Sequence, residues 1–128
     1  MSNKSSILGL GNDIIEISRI RDSVHEFHAR FLSKFFTEKE QKYCSTYVDP
    51  IPHYAGRFAA KEAISKALGT GFGEKLSPID IEILNNVVSG KPEIFFSEKV
   101  KKTFNNPIVS VSISHSKEFA TAVAIWHD

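Results

Sequence analysis

The sequence predicts an α+β fold, helices packed on a mainly antiparallel β-sheet, and three observations carry that expectation. In Arg57-Phe58-Ala59-Ala60-Lys61-Glu62-Ala63-Ile64-Ser65-Lys66-Ala67-Leu68-Gly69, steps of about 100° put Ala60, Ala63, Ile64 and Ala67 on one apolar stripe, as in an amphipathic helix. The second half changes character: Asp80 to Leu84 alternates as a strand, and Glu93 to Phe96 returns after the turn residues Ser89-Gly90-Lys91-Pro92. Val109-Ser110-Val111-Ser112-Ile113-Ser114 then alternates strictly and is joined to the strand-like Ala120 to Trp126 by the short segment from His115 to Phe119, a hairpin.

The remaining elements follow in order. Ile7 to Asn12 is apolar enough for a first strand, buried in expectation, and it leads into a short helical stretch holding Ile17, Arg19, Ile20 and Arg21. A second helix is expected over His25 to Phe31. Thr37-Glu38-Lys39-Glu40 has the form of a capping box, with Thr37 as N-cap and Glu40 reaching back, so a helix should run toward Cys44 and Tyr47. Asp49-Pro50-Ile51-Pro52 stops it, because each proline biases its predecessor away from the helical region. The Ala-rich helix comes next and ends at Gly69, Gly71 and Gly73; later, Ser97 caps a short basic helix over 98–104.

The chain has 128 residues and shows no repeat, low-complexity tract or linker, so a single domain over residues 1–128 is expected. A domain of this size buries roughly two-thirds of its unfolded surface and needs no disulfide or metal to hold it together. The lone Cys44 has no partner for an internal bridge, the start from Met1 to Ser6 is polar with no signal-peptide core, and no apolar run approaches the roughly 20 residues of a membrane span. A soluble cytoplasmic protein is the economical expectation. The net charge of +1 argues against a general nucleic-acid binder.

Two acids stand out. Asp13 lies between Leu10 and Ile14, where a carboxylate is expensive unless it is paired or bound to a metal. Glu62 stands four residues before Lys66, beside Lys61 and Ser65, on the helix face away from the apolar stripe. One reading makes Asp13 a turn aspartate, since Gly-Asn-Asp is ordinary turn chemistry, and Glu62–Lys66 a solvated helix pair. The other makes Asp13 and Glu62 two oxygen ligands of one hard cation, for which magnesium is suited. Spacing leaves the two readings level. Ser110, Ser112 and Ser114 share a strand face, with Ser114 and His115 at the strand end, where function tends to concentrate. Cys44 with His25 and His28 does not make a zinc ligand set.

Four segments together resemble a known family. Gly11-Asn12-Asp13-Ile14-Ile15-Glu16-Ile17, Phe36-Thr37-Glu38-Lys39-Glu40, Arg57-Phe58-Ala59-Ala60-Lys61-Glu62-Ala63 and Ser112-Ile113-Ser114-His115-Ser116 occur in the order seen in holo-acyl-carrier-protein synthases, the small bacterial 4′-phosphopantetheinyl transferases, and Gly90-Lys91-Pro92 fits as well. The resemblance covers nearly the whole chain and strengthens the metal reading. It implies transfer of phosphopantetheine from coenzyme A to a serine of apo acyl carrier protein, in support of fatty acid biosynthesis, with release of adenosine 3′,5′-bisphosphate.

The family's magnesium ligands fall on Asp13 and Glu62, with Lys66 joining them in catalysis. Arg57 and Lys66 fall on its phosphate-holding positions, with Gly69 close by, and Ser114 and His115 would line the coenzyme site. Arg19, with Arg21 beside it, falls on the docking position for the acidic carrier protein. Members form trimers with the active site between adjacent subunits, so a homotrimer is implied. Lys34 departs from the pattern, standing where many members carry arginine. A coenzyme-binding module without turnover and a nucleotide hydrolase are the rivals; retention of both acids and Lys66 argues against the first, and release of product without carrier protein would mark the second.

Overall fold

The structure is a computed structural model that describes residues 6–128; the polar start read as lacking a signal-peptide core falls largely on residues 1–5, which lie outside the described residues. Strand β1 (Ile7–Glu16) leads into α1 (Ile17–Phe27), α2 (Ala29–Phe35), α3 (Glu38–Cys44) and α4 (Ile51–Ala67). A 3₁₀ turn at Pro78–Asp80 precedes β2 (Ile81–Asn85) and β3 (Pro92–Phe96), followed by α5 (Glu98–Thr103), β4 (Ile108–His115) and β5 (Phe119–His127). β5 lies between β1 and β4 in a three-stranded sheet, β2 and β3 form a separate ribbon, and every pairing is antiparallel. The α+β expectation holds.

The core forms where α4 crosses the inner face of the three-stranded sheet. Ala60, Ala63, Ile64 and Ala67 are buried as their spacing predicts, against Ala122 and Ala124 of β5 and Ile81 and Ile83 of β2. Gly9 and Gly11 let β1 approach further: a Cβ on either would overlap a carbonyl oxygen of α4, Ala67 for Gly9 and Ala63 for Gly11. A second cluster, from Ile17, Ile20, Phe36, Cys44, Tyr54 and Ala55, joins α1 and α3 to the first half of α4. The Thr37–Glu40 capping box is present in full, and Ser97 accepts from the Val100 N–H at the start of α5. No described helix is long and apolar enough to cross a membrane.

Four sequence expectations are corrected. β1 does not end at Asn12; it runs to Glu16, paired with β5 throughout, so Gly-Asn-Asp is extended strand and not a turn. Nor is it buried on both faces, for it is an edge strand whose outer side leaves Leu10 66% and Ile14 64% exposed. The second helix does not span His25 to Phe31: His28, at φ 49°, breaks the chain between α1 and α2, at a residue with no breaker chemistry of its own. Finally α4 begins at Ile51, six residues before Arg57, because Pro52 sits in the first turn, where a missing N–H costs no hydrogen bond.

Candidate active site

β1 and α4 build one half of the site. Along β1, Gly9, Gly11 and Asp13 share the face toward α4, so the close approach that the glycines allow brings the Asp13 carboxylate to the second half of the helix. There Lys66 Nζ donates to Asp13 Oδ1 at 3.1 Å and to the Asn12 carbonyl at 2.9 Å. Glu62, one turn earlier, lines the same cleft of about 460 Å³ as Asp13, with Arg19 and the rings of Phe31, Phe35 and Phe58. Burial, and next the nearby Asp13, push the Glu62 carboxyl above its ordinary range, while Lys66 opposes them. Lys66 thus pairs across to the strand and not along its own helix to Glu62.

Two carboxylates that share a cleft suit a hard cation. Among the described residues no third acid, histidine or cysteine completes an all-protein cage. Magnesium does not need one, being held by one or two carboxylates with water and substrate phosphates filling the remaining positions.

Arg57 lies elsewhere. Five residues before Glu62 is about 140° around the helix, so its side chain leaves the opposite flank of α4. It is buried, donating from Nε to the Ile83 carbonyl at 3.0 Å and from Nη2 to Asn85 Oδ1, with its guanidinium over the Tyr43 ring at 4.5 Å. A second cleft, of about 300 Å³, is lined by Arg57, Tyr43, Tyr47, His53, Asn85, Gly90 and His115. His53 and His115 meet edge to face with ring centroids 5.7 Å apart. Burial, then His115 and Arg57, hold the His53 ring below the ordinary histidine pKa, with Asp49 opposing. The two clefts share no lining residue.

The expected site residues therefore divide. Asp13, Glu62, Lys66 and Arg19 come together; Arg57 and His115 come together; the two groups face apart within one chain. Ser114, expected at the coenzyme site, is outward on β4 on the face opposite to His115 and lines neither cleft, because strand alternation sends neighbouring side chains to opposite faces. Gly69 ends α4 with a left-handed backbone, φ 85°, at the negative end of the helix dipole. Arg21 is already engaged, as both of its terminal nitrogens donate to the Asp49 carboxylate, at 3.2 and 2.8 Å. Arg19 has no ion pair among the described residues and remains open at the cleft.

The face of α4 read as solvated surface is largely buried: Lys61 and Ser65 are each 1% exposed, because the β2–β3 ribbon and α3 cover the flank that the sheet leaves free. Sequence reasoning did not find His53, Tyr43 or Asn85. The signal for His53 was its place four residues before Arg57, hidden by the two prolines that seemed to lie outside the helix.

A family model described as the 4′-phosphopantetheinyl transferase superfamily matches residues 9–124. A holo-[acyl-carrier-protein] synthase of Protochlamydia amoebophila is 50% identical over 119 residues, 93% of this chain and 97% of the relative. Among solved structures, a holo-(acyl-carrier-protein) synthase of Bacillus anthracis in complex with CoA (3′,5′-ADP) has a TM-score of 0.82 at 40% identity, covering 95% of this chain and 97% of that one. The Helicobacter pylori holo-[acyl-carrier-protein] synthase in complex with coenzyme A has a TM-score of 0.83 at 39% identity, covering 91% and 98%. The chain belongs to the 4′-phosphopantetheinyl transferase superfamily and, within it, to the holo-[acyl-carrier-protein] synthase family of enzymes.

Proposed function

We propose that this chain uses magnesium to transfer 4′-phosphopantetheine from coenzyme A to a serine hydroxyl of apo acyl carrier protein, releasing adenosine 3′,5′-bisphosphate. The observation that carries this reading is the cleft shared by Asp13 and Glu62, with Lys66 held against Asp13 and Arg19 open at the rim. Two relatives solved with coenzyme A or its nucleotide, superposable over nearly the whole chain, support the donor, and the names of the relatives support the acceptor.

In this reaction the serine oxygen bonds to the phosphorus next to pantetheine as the pyrophosphate P–O bond breaks. Asp13 and Glu62 would hold magnesium, which when bound draws charge from the phosphates and aligns them. Lys66, whose ammonium is held on Asp13, offers a phosphate oxygen a point charge that stabilises the negative charge building there. Glu62 stands where it can accept the serine proton through a water. Arg57 and His115 hold the nucleotide end, and Arg57 is suited to grip a phosphate by two donors. Arg19 meets the acidic carrier protein.

One donor molecule has to reach both clefts, and in one chain they face apart. A homotrimer with sites between subunits resolves this by placing the Arg57–His115 cleft of one copy against the Asp13–Glu62 cleft of the next. The outer face of the three-stranded sheet is the matching contact surface: Leu10, Ile14, Val123 and Ile108 are exposed there, between 45% and 66%. The enzyme works in the cytoplasm and supplies the carrier form that fatty acid assembly requires.

Intact mass spectrometry of apo acyl carrier protein incubated with this chain, coenzyme A and magnesium tests the reading. A gain of one phosphopantetheine, lost on chelation, is the expected result. Tight coenzyme binding without any gain would leave a binding module, and coenzyme consumption without carrier modification a hydrolase.

A further inference from the structure

Lys61 is the deepest charge on α4. Its Nζ donates to Glu40 Oε1 at 2.6 Å, to the Phe35 carbonyl at 2.7 Å and to the Pro78 carbonyl at 3.1 Å, so each of its three protons has an acceptor. Glu40 is equally engaged. Oε1 also accepts from the Thr37 N–H at 2.9 Å, and Oε2 accepts from the Ile83 N–H at 2.8 Å. The side chains are 2% and 0% exposed. Ion pairs buried this deeply are frequently no more stabilising than apolar side chains of the same volume, so stability alone is a weak reason for this one.

What the pair achieves, and apolar packing would not, is to fix several backbone segments at hydrogen-bond length from one point on α4. Two of these segments continue into the clefts. Ile83 gives its N–H to Glu40 and its carbonyl to Arg57 Nε, so Glu40 holds the strand that aims Arg57 into the His115 cleft. Phe35 gives its carbonyl to Lys61, and its ring packs on Phe58, 5.2 Å between centroids, in the wall of the Glu62 cleft. Lys61 itself precedes Glu62 in the chain.

We propose that the Lys61–Glu40 pair is a positioning device for the transfer reaction: it sets the aim of Arg57 on one flank of α4 relative to Glu62 on the other. The proposal rests on the phosphopantetheine transfer proposed above. Neither residue touches substrate; both act through Ile83, Arg57 and Phe35.

The test compares the wild type with Glu40→Gln and with the double variant Glu40→Leu/Lys61→Met, reading the melting temperature, calorimetric affinity for coenzyme A, and transfer to apo carrier protein by mass spectrometry. Glu40→Gln leaves a buried ammonium uncompensated and is expected to lower the melting temperature by about 10 °C or more. The double variant removes both charges together and should melt within about 3 °C of the wild type. Its kcat/KM for coenzyme A should nonetheless fall at least about tenfold, with the Michaelis constant for carrier protein changing much less.

A double variant with wild-type melting and wild-type kinetics overturns the proposal, because the pair would then be structural only. Should the double variant fail to fold, Glu40→Gln assayed well below its melting temperature decides: a wild-type coenzyme A affinity and Michaelis constant overturn the proposal, and a selective rise in both dissociation and Michaelis constants supports it. A wild type that binds coenzyme A but modifies no carrier protein overturns the transfer reading, and with it the positioning role that rests on it.

Discussion

On one flank of α4, Glu62 lines an open cleft with Asp13, which Lys66 contacts; on the other, Lys61 is buried with all three donors engaged and Arg57 is buried with Nε and Nη2 engaged. The helix is the same and the side chains are of the same kinds. The difference lies in what covers them. β1 reaches α4 by backbone contact at Gly9 and Gly11, which leaves space next to Asp13, whereas α3 and the β2–β3 ribbon bring Glu40, Asn85 and the Ile83 main chain against the other flank. A charge that lines a cleft, as Glu62 and Arg57 do, remains available to a substrate, and one whose every donor is engaged, as in Lys61, becomes part of the frame.

The comparison is broken most directly at the open flank. Asp13→Ala and Glu62→Ala should each lower transfer by about 1,000-fold or more, which is about 4 kcal/mol of transition-state stabilisation, with little change in melting temperature. Full activity in either variant would remove the shared carboxylate site. Next in size is the close contact that creates the cleft. Gly11→Val should destabilise the fold by about 3 kcal/mol, because its side chain overlaps the Ala63 carbonyl, and a melting temperature equal to the wild type would refute the backbone-contact account.

Arg19→Ala should raise the Michaelis constant for carrier protein about tenfold, roughly 1.4 kcal/mol, and leave that for coenzyme A nearly unchanged. Equal effects on both would take Arg19 out of docking. The smallest effect is expected at Arg21, half exposed and paired with Asp49: Arg21→Ala should cost about 0.5 kcal/mol at neutral pH, read by denaturant unfolding. The Arg21 hydrogen bond holds the Asp49 carboxyl below its ordinary range, so this contribution is present above the unfolded carboxylate pKa of about 3.9 and is lost as pH falls through the folded value. The gap between wild type and variant should therefore narrow as the pH falls below about 3.9, and a gap that widens on acidification would refute the pairing.

Much of the frame was legible in the residues. The Ala60–Ala67 stripe, the Thr37–Glu40 capping box, the Ser97 cap and the alternation from Val109 to Ser114 each depend on neighbours within a few positions, and each appears in the fold as expected. The start of α4 was hidden because prolines in a first turn look like prolines in a loop. The break at His28 was hidden because nothing in its local chemistry demands a left-handed backbone.

The same division holds for the site. Asp13, Glu62, Lys66 and Arg19 were recognisable from motif order, and the structure brings Asp13, Glu62 and Arg19 to one cleft with Lys66 bonded to Asp13. That Arg57 leaves the other flank follows from helix geometry, but which neighbours it meets there depends on residues more than twenty positions away, Ile83 and Asn85. Lys61 makes the point most clearly: four residues from Arg57 and next to Glu62, it looked like solvated surface. By itself the sequence determined the α+β class, the family and those elements marked by periodicity, caps and motifs, which are local. Only the tertiary structure decided which charges stay open and which are buried, because exposure depends on what the rest of the chain packs against each face.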